Sequence, residues 1–328
     1  MAEIFDIVNQ LTTTTTFPCA LATLVKIEGS SYRREGARRL FFADQPAIGA
    51  ISGGCLEQDI DAQADVLIKS TSNCKLITYD TSSENEILWG AGTGCHGIVH
   101  VFIEKLTACP AWAHEIKRVK FHRKSISLRT VWQAARDEAV ALGTTAERDE
   151  PPPEKTTLRQ TINPPWRLIV FGAGDDAIPL NGLANQLGWE TKIFDPRPAF
   201  ADKNRFPGAT TVDCEPAKTA ANRVDWDDQT VAVIMTHHYR FDLPLLQTLL
   251  PLNLVYLGLL GPKERGQRLI ADAGYAAASG ALHYPVGLDL GGDGAESVAL
   301  AIISEIQAHL HQRSGQPLRD RHHPIHGG

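Results

Sequence analysis

The sequence predicts an α/β protein, with an N-terminal mixed α/β domain followed by a domain built on a doubly wound parallel sheet. Three observations predict it. A chain of 328 residues, 43% hydrophobic and 21% charged, is long enough for two globular domains with ordinary cores. Short apolar, β-branched runs such as Leu168-Ile-Val-Phe171 and Thr230-Val-Ala-Val-Ile-Met-Thr236 alternate with stretches of helical spacing, as buried parallel strands and their crossover helices do. Between one such strand and its helix lies Gly172-Ala-Gly174-Asp-Asp-Ala177.

That third observation carries the most chemistry. Gly172 permits a tight turn, Gly174 lets backbone N–H groups approach a pyrophosphate at a helix N-terminus, and Ala177 keeps helix and strand close. Ala177, Leu180, Leu183, Ala184 and Leu187 keep helical spacing up to Gly188. Thr191-Lys-Ile-Phe then ends on Asp195, about 20 residues beyond the turn, where an acidic residue would accept hydrogen bonds from a ribose. Together these make a Rossmann fingerprint in its expected context. Asp175 and Asp176, however, set negative charge beside the phosphate position, and Pro179 fits only near a helix start.

A net charge of −6 and a pI near 6.1 give no support to a nucleic-acid surface. The start, MAEIFDIVNQL, lacks a basic leader and a long apolar core, which predicts a cytoplasmic protein. Six cysteines, Cys19, Cys55, Cys74, Cys95, Cys109 and Cys214, are scattered without a CxxC pair, against a structural zinc site or a disulfide scaffold.

In chain order, Ile4 to Leu11 predicts an amphipathic helix, Thr12 to Thr16 a loop, and Cys19 to Ile27 the first strand. Glu28 to Gly36 is turn-rich. Its neighbours Arg33, Arg34, Arg38 and Arg39 form either a solvated face or, with the Gly and Ser amides, an anion site. After a second strand near Leu40, Gly53-Gly54-Cys55 precedes helical spacing from Leu56 to Ile68. Cys55 is thus expected in the first turn of a helix, as a reactive or ligating thiol or as a small buried hydrophobe. Lys75 to Asp80 is a strand. Trp89 to Gly97 packs four glycines around Cys95-His96, leaving room for a flat ligand. Lys117 to Lys124 is a basic cluster that faces either solvent or a partner. Ser125 to Trp132 alternates like a strand, with Glu138 to Gly143 as its expected partner, and the proline-rich stretch after Glu147 reads as a linker.

In the second domain, Thr236-His237-His238-Tyr-Arg-Phe-Asp242 follows a parallel strand and leads into a helix started by proline. It offers His237, His238 and Asp242 as cofactor contacts or metal ligands, with hydrogen bonding favoured over zinc because His237 and His238 are sequence neighbours and no third ligand is spaced to join them. Leu254 to Arg265 repeats strand, glycine turn and helix start around Gly258 and Gly261, and adds Lys263 and Arg265. Ala295 to Leu310 closes the domain as a helix.

The segments GAISGGCLEQD, GAGTGCHGIVHVFIE, VFGAGDDA, FDPRPAFADKNRFPGA, MTHHYRFD, YLGLLGPKERGQRL and PVGLDLG, in this order over residues 15–105 and 166–310, resemble the motifs of the XdhC/CoxI family. These are accessory proteins for molybdenum hydroxylases such as xanthine dehydrogenase. The chain departs from the family at Asp175, where His is frequent, at His96, where Gly is frequent, and at Gly292-Asp293-Gly294.

The resemblance implies a chaperone without turnover of its own. It would bind molybdenum cofactor, as molybdopterin or its cytosine dinucleotide form, protect it while a cysteine desulfurase installs the sulfido ligand, and insert it into an apo molybdenum hydroxylase. The family's cysteine motifs fall on Gly53, Gly54 and Cys55 and on Cys95. The expected division is an N-terminal domain over 1–150, a linker over 151–164, a Rossmann-like domain over 165–313 and a disordered tail over 314–328, with the ligand between domains and a homodimer as the assembly. The expected cofactor contacts are Gly53, Gly54, Cys55, Cys95, Arg38, Gly172, Gly174, Asp195, His237, Asp242, Gly258 and Gly261. The rival readings are an NAD(P)-dependent oxidoreductase with His237 or Cys55 as acid–base group, and a scaffold that holds desulfurase and client together.

Overall fold

The computed structural model describes residues 2–80, 97–133, 141–147, 156–275 and 280–321. The chain divides into two compact units, Met1–Pro164 and Pro165–Gly328.

The first unit is organised on an antiparallel sheet of order β3-β2-β1-β5-β4, formed by β1 (Cys19–Gly29), β2 (Arg38–Phe41), β3 (Ile48–Gly49), β4 (Cys74–Asp80) and β5 (Gly97–Leu106). The alternating side chains of β1 feed two cores. Ala20, Ala22 and Leu24, with Val99, Val101 and Ile103 of β5, pack on Ile60, Ala64 and Leu67 of helix α2 (Glu57–Lys69). On the opposite face Leu21, Leu40 and Leu106 meet Ile7, Val8 and Leu11 of α1 (Ala2–Thr13) and Trp112, Ile116 and Val119 of α3 (Ala111–His122). The threonines read as a loop partly extend α1, because the Thr12 and Thr13 hydroxyls bond back to Val8 and Asn9 carbonyls at 2.9 and 2.8 Å.

A second antiparallel sheet has order β7-β6-β8, from β6 (Ile126–Val131), β7 (Gly143–Glu147) and β8 (Thr157–Ile162). The partner of β6 on one side therefore begins where the expected one, Glu138 to Gly143, ends. On the other side lies part of the stretch read as a linker. Charge and proline content favour a linker there, yet Leu158 and Ile162 alternate inward and are buried, which is reason enough for a strand.

The second unit is a six-stranded parallel sheet of order β11-β10-β9-β12-β13-β14. Its strands are β9 (Arg167–Phe171), β10 (Glu190–Phe194), β11 (Thr211–Asp213), β12 (Thr230–Ile234), β13 (Leu257–Leu259) and β14 (Leu282–His283). The two central strands, β9 and β12, are buried along their whole length, so both their faces must be apolar. Leu168, Val170, Val231 and Val233 pack on α4 (Ala177–Gln186) and α8 (Ala295–Leu310); Ile169, Phe171, Ala232 and Ile234 pack on α5 (Ala217–Arg223), α6 (Tyr239–Leu249) and α7 (Lys263–Asp272). From β9 the chain first builds outward through β10 and β11, then crosses to β12. The crevice beyond the carboxyl ends of β9 and β12 is therefore the topological switch point where a doubly wound sheet presents a ligand site. Helix α6 starts before its proline, Pro244, and not at it.

Glu305 of α8 ties several elements of this unit together. It accepts hydrogen bonds from the Tyr256 hydroxyl at 2.6 Å and the Gly287 N–H at 2.8 Å, and pairs with His283 Nδ1 at 3.3 Å. Burial pushes its carboxyl up, but the bonds from His283, Tyr256 and Gly287 outweigh that and hold it down at about 2. A depressed carboxyl stabilises the fold fully above its ordinary range near 4.5, and that contribution drains away as pH falls toward 2. Glu305→Gln is expected to lower stability by about 2 kcal/mol at neutral pH. Its denaturation midpoint should converge with the parent's as pH drops from 4.5. An equal gap at pH 7 and pH 3 would contradict it.

Candidate functional site

In the first unit the glycine–cysteine turn is built by two interlocked side chains. The Ser52 hydroxyl accepts from the Gly54 and Leu56 N–H groups at 3.1 and 3.2 Å and donates to Glu57. Glu57 in turn accepts from the Ile51 and Ser52 N–H groups at 3.0 and 2.7 Å, a reciprocal arrangement of the capping-box kind. Burial raises the Glu57 carboxyl, but the Ser52 hydroxyl and these N–H groups prevail and hold it below its ordinary value. Because this interlock forms ahead of the helix, Cys55 stands two residues before α2, not inside its first turn.

Gly54 has φ +116° with open space where a side chain would project, and a Cβ on Gly53 would sit 3.7 Å from the Tyr32 ring. That ring is 63% exposed and Cys55 is half-buried. A half-buried cysteine packed against the core, open backbone at Gly54 and an aromatic face beside Gly53 thus meet in one turn. Cys19, by contrast, is buried and its thiol is pushed up to about 12, while burial also raises Cys74 and Cys109. Cys95 and His96 lie outside the described residues.

The arginines do not converge on this turn. Arg39 makes a two-pronged pair with Asp61 at 2.7 Å and bonds the Gly49 carbonyl, and Arg33 pairs with Glu3. Arg38, expected as an anion contact, is buried. Its register partner Thr23 places it on the sheet face that also carries Leu21 and Leu40, and Nη1 donates to the Gln160 side chain at 2.6 Å and the Gly36 carbonyl at 3.1 Å. Burial lowers the guanidinium to about 10, although Glu104 and Glu3 favour its charge. Its Nε and Nη2 are also buried and have no hydrogen-bond partner among the described residues, so the side chain belongs to the interior of the sheet.

The second unit's crevice is lined by carboxylates, most of them already engaged. A Cβ on Gly172 would come 2.4 Å from the Met235 carbonyl, so β12 requires glycine there. Asp195 is fully buried. One oxygen accepts from Arg197 N and Nε, each at 2.9 Å; the other accepts from Ala173 N–H at 2.8 Å and Arg197 Nη2 at 2.7 Å. Burial would raise this carboxyl, yet the Arg197 and Ala173 donors hold it below the usual range. Arg197 lies 3.9 Å over the Phe200 ring. The residue expected to hold a ribose therefore has its acceptors filled from within.

Beside it, a Cβ on Gly174 would meet Asp176 Oδ1 at 2.7 Å, and Asp176 Oδ2 is 2.7 Å from His237 Nε2. The bond to Asp176 raises the pKa of His237 against the opposing effect of partial burial. His237 itself adopts φ +58°, a left-handed conformation at the end of β12. Arg205 pairs with Asp175 at 2.7 Å and donates to the Ala173 and Phe200 carbonyls. Asp242, fully buried, accepts from Thr236 and Arg265, while Arg265 also donates to the Leu260 carbonyl at 3.2 Å beside Gly261, which has φ +131°. Gly258 lies within β13, where a Cβ would come 2.6 Å from Val286, so it serves close packing. Among the described residues no group of three His, Cys, Asp or Glu could hold a metal ion.

Comparison with known proteins returns one consistent answer. Residues 16–80 match the model of the XdhC and CoxI family, and residues 168–306 that of the XdhC Rossmann domain. A Bacillus subtilis protein named as a probable xanthine dehydrogenase subunit is 32% identical to the chain over 306 residues, covering 87% of this chain and 91% of that one. The chain belongs to the XdhC/CoxI family. It is also 25% identical to the molybdenum cofactor insertion chaperone PaoD of Escherichia coli, over 89% of this chain and 84% of that one. A crystal structure described as a xanthine dehydrogenase from Bacillus halodurans superposes with a TM-score of 0.81 at 30% identity, covering 96% of this chain and 98% of that one.

In this XdhC/CoxI chain the motifs fall on two turns. GAISGGCLEQD builds the Ser52–Glu57 interlock, and VFGAGDDA with MTHHYRFD brings Asp176 to His237. Sequence reasoning misses Ser52, Glu57, Tyr32, Arg197 and the Asp176–His237 pair. A Ser-x-x-x-x-Glu spacing ahead of a helix is the available signal for the first two. The last pair joins residues 61 positions apart, which only strand order brings together.

Proposed function

We propose that this XdhC/CoxI protein is an accessory chaperone that binds molybdenum cofactor as cargo and delivers it to an apo molybdenum hydroxylase. The observation that carries this reading is the Gly53-Gly54-Cys55 turn, where a half-buried cysteine packed against the core follows open backbone at Gly54 and the Tyr32 ring beside Gly53. A thiolate is the soft ligand that a sulfur-rich metal centre accepts, and an aromatic face suits a flat pterin. The names of the two curated relatives, one for a cofactor insertion chaperone and the other for part of a xanthine dehydrogenase, support the same reading. When bound, the cofactor would supply the redox metal that the client needs, while this chain orients and shields it. On this proposal a cysteine desulfurase meets the loaded protein to install the sulfido ligand, the chaperone works as a cytoplasmic homodimer, and Cys95 assists Cys55. The oxidoreductase alternative is less well supported, because Asp195 has no acceptor left for a nicotinamide dinucleotide's ribose.

Cys55→Ala is expected to keep the parent's circular dichroism and melting temperature but to retain cofactor about tenfold less well. The readouts are molybdenum content and pterin fluorescence after gel filtration. Equal retention by variant and parent would remove Cys55 from the site.

A further inference from the structure

The C-terminal crevice stands where a Rossmann fold holds a dinucleotide, and its own side chains occupy both parts of that site. The pyrophosphate of such a ligand sits on the N-terminus of the helix after the glycine turn, against the second glycine. Here the space beside Gly174 holds Asp176 Oδ1, a buried oxygen with no hydrogen-bond partner, while Oδ2 is fixed by His237. The ribose of such a ligand needs the acidic residue after the second strand, yet Asp195 is fully buried and takes four hydrogen bonds from Ala173 and Arg197.

The charges agree with the geometry. Among the described residues, three guanidinium groups at these turns are each committed to a carboxylate: Arg197 to Asp195, Arg205 to Asp175 and Arg265 to Asp242. A fourth carboxylate, Asp176, pairs with His237. The bond to Asp176 favours the charged form of His237, so these four pairs leave none of their own cations free for a phosphate. A pyrophosphate would also have to displace Asp176 Oδ1 from the space beside Gly174.

We propose that Asp176, held by His237, is a specificity residue that excludes pyrophosphate-bearing dinucleotides from this crevice. Asp176 acts as an internal anion where a ligand's phosphate would otherwise bind. His237 keeps that carboxylate in place.

The test is calorimetric titration of purified full-length protein with NAD+ and with CDP. The parent is expected to show no binding of either at millimolar concentration. Asp176→Asn, which keeps the shape and removes the charge, should bind both at least about tenfold more tightly than the parent. Asp175→Asn, on the exposed side, should also gain affinity by freeing Arg205, and it serves if Asp176→Asn fails to fold. Micromolar binding of NAD+ or CDP by the parent would overturn the proposal, as would folded variants no more receptive than the parent.

Discussion

A strain lacking this protein is expected to make its molybdenum hydroxylase in normal amounts, with flavin and iron–sulfur centres in place, and yet to show almost no hydroxylase activity. The expectation follows from what the two turns offer. On the proposed reading Cys55, Gly54 and Tyr32 would hold the cargo, and the carboxylates of the other unit are bound to arginines that shape the crevice. Holding and passing on a reactive cargo requires accessible contacts, not an assembled nucleophile, base and orienting group. The purified client should contain little sulfurated cofactor, and activity should return when the gene is restored but only weakly with Cys55→Ala. A fully loaded, fully active client in the deletion strain, for every molybdenum hydroxylase that the cell makes, would discard the chaperone reading.

Asp242→Ala should produce the largest stability loss of any single change at the crevice, about 3 kcal/mol or more. The carboxylate is wholly buried, and its removal leaves the Thr236 hydroxyl with only the His238 carbonyl and takes from the Arg265 guanidinium its charged acceptor, leaving only the Leu260 carbonyl. Truncating one partner of a buried ion pair leaves the other charge uncompensated, which costs far more than losing a surface pair. Lys69→Ala provides the internal comparison. Its pair with Asp65 leaves the lysine side chain 68% exposed, so its loss should cost no more than about 0.5 kcal/mol. Urea denaturation of both variants measures the contrast. A small loss for Asp242→Ala, accompanied by weaker cofactor retention, would return Asp242 to the role of ligand contact.

Much of the second unit is legible in the order of its residues. β9, its glycine turn and α4 announce themselves because local pattern and global role agree: an apolar run buried on both faces, a glycine where β12 comes close, and helical spacing behind it. What the residues of the crevice do is less legible. Asp195, Asp242 and Arg38 each read as ligand contacts, since a charged side chain near a glycine turn suggests a ligand. In each case the partner that claims the charge lies on another element, or, as with Arg197, two residues along in a loop whose path no periodicity reveals. Strand β8 escapes detection for a related reason. Its inward positions are Leu158, Gln160 and Ile162, and a polar residue in the middle breaks the apolar alternation that would have marked it.

That same Gln160 also sets a boundary on how this protein can be taken apart or recombined. It accepts the hydrogen bond of the buried Arg38, more than a hundred residues earlier, and its neighbours Leu158 and Ile162 fill the first unit's interior. A shuffling event that joined the N-terminal half of one family member to the C-terminal half of another near residue 150 would import a foreign strand and set it against a native guanidinium. A crossover between Ile162 and Arg167 keeps Arg38 with its own Gln160 and leaves strand β8 and strand β9 each whole. The inheritable module ends where the second unit begins, at the far end of the proline-rich stretch and not at its middle.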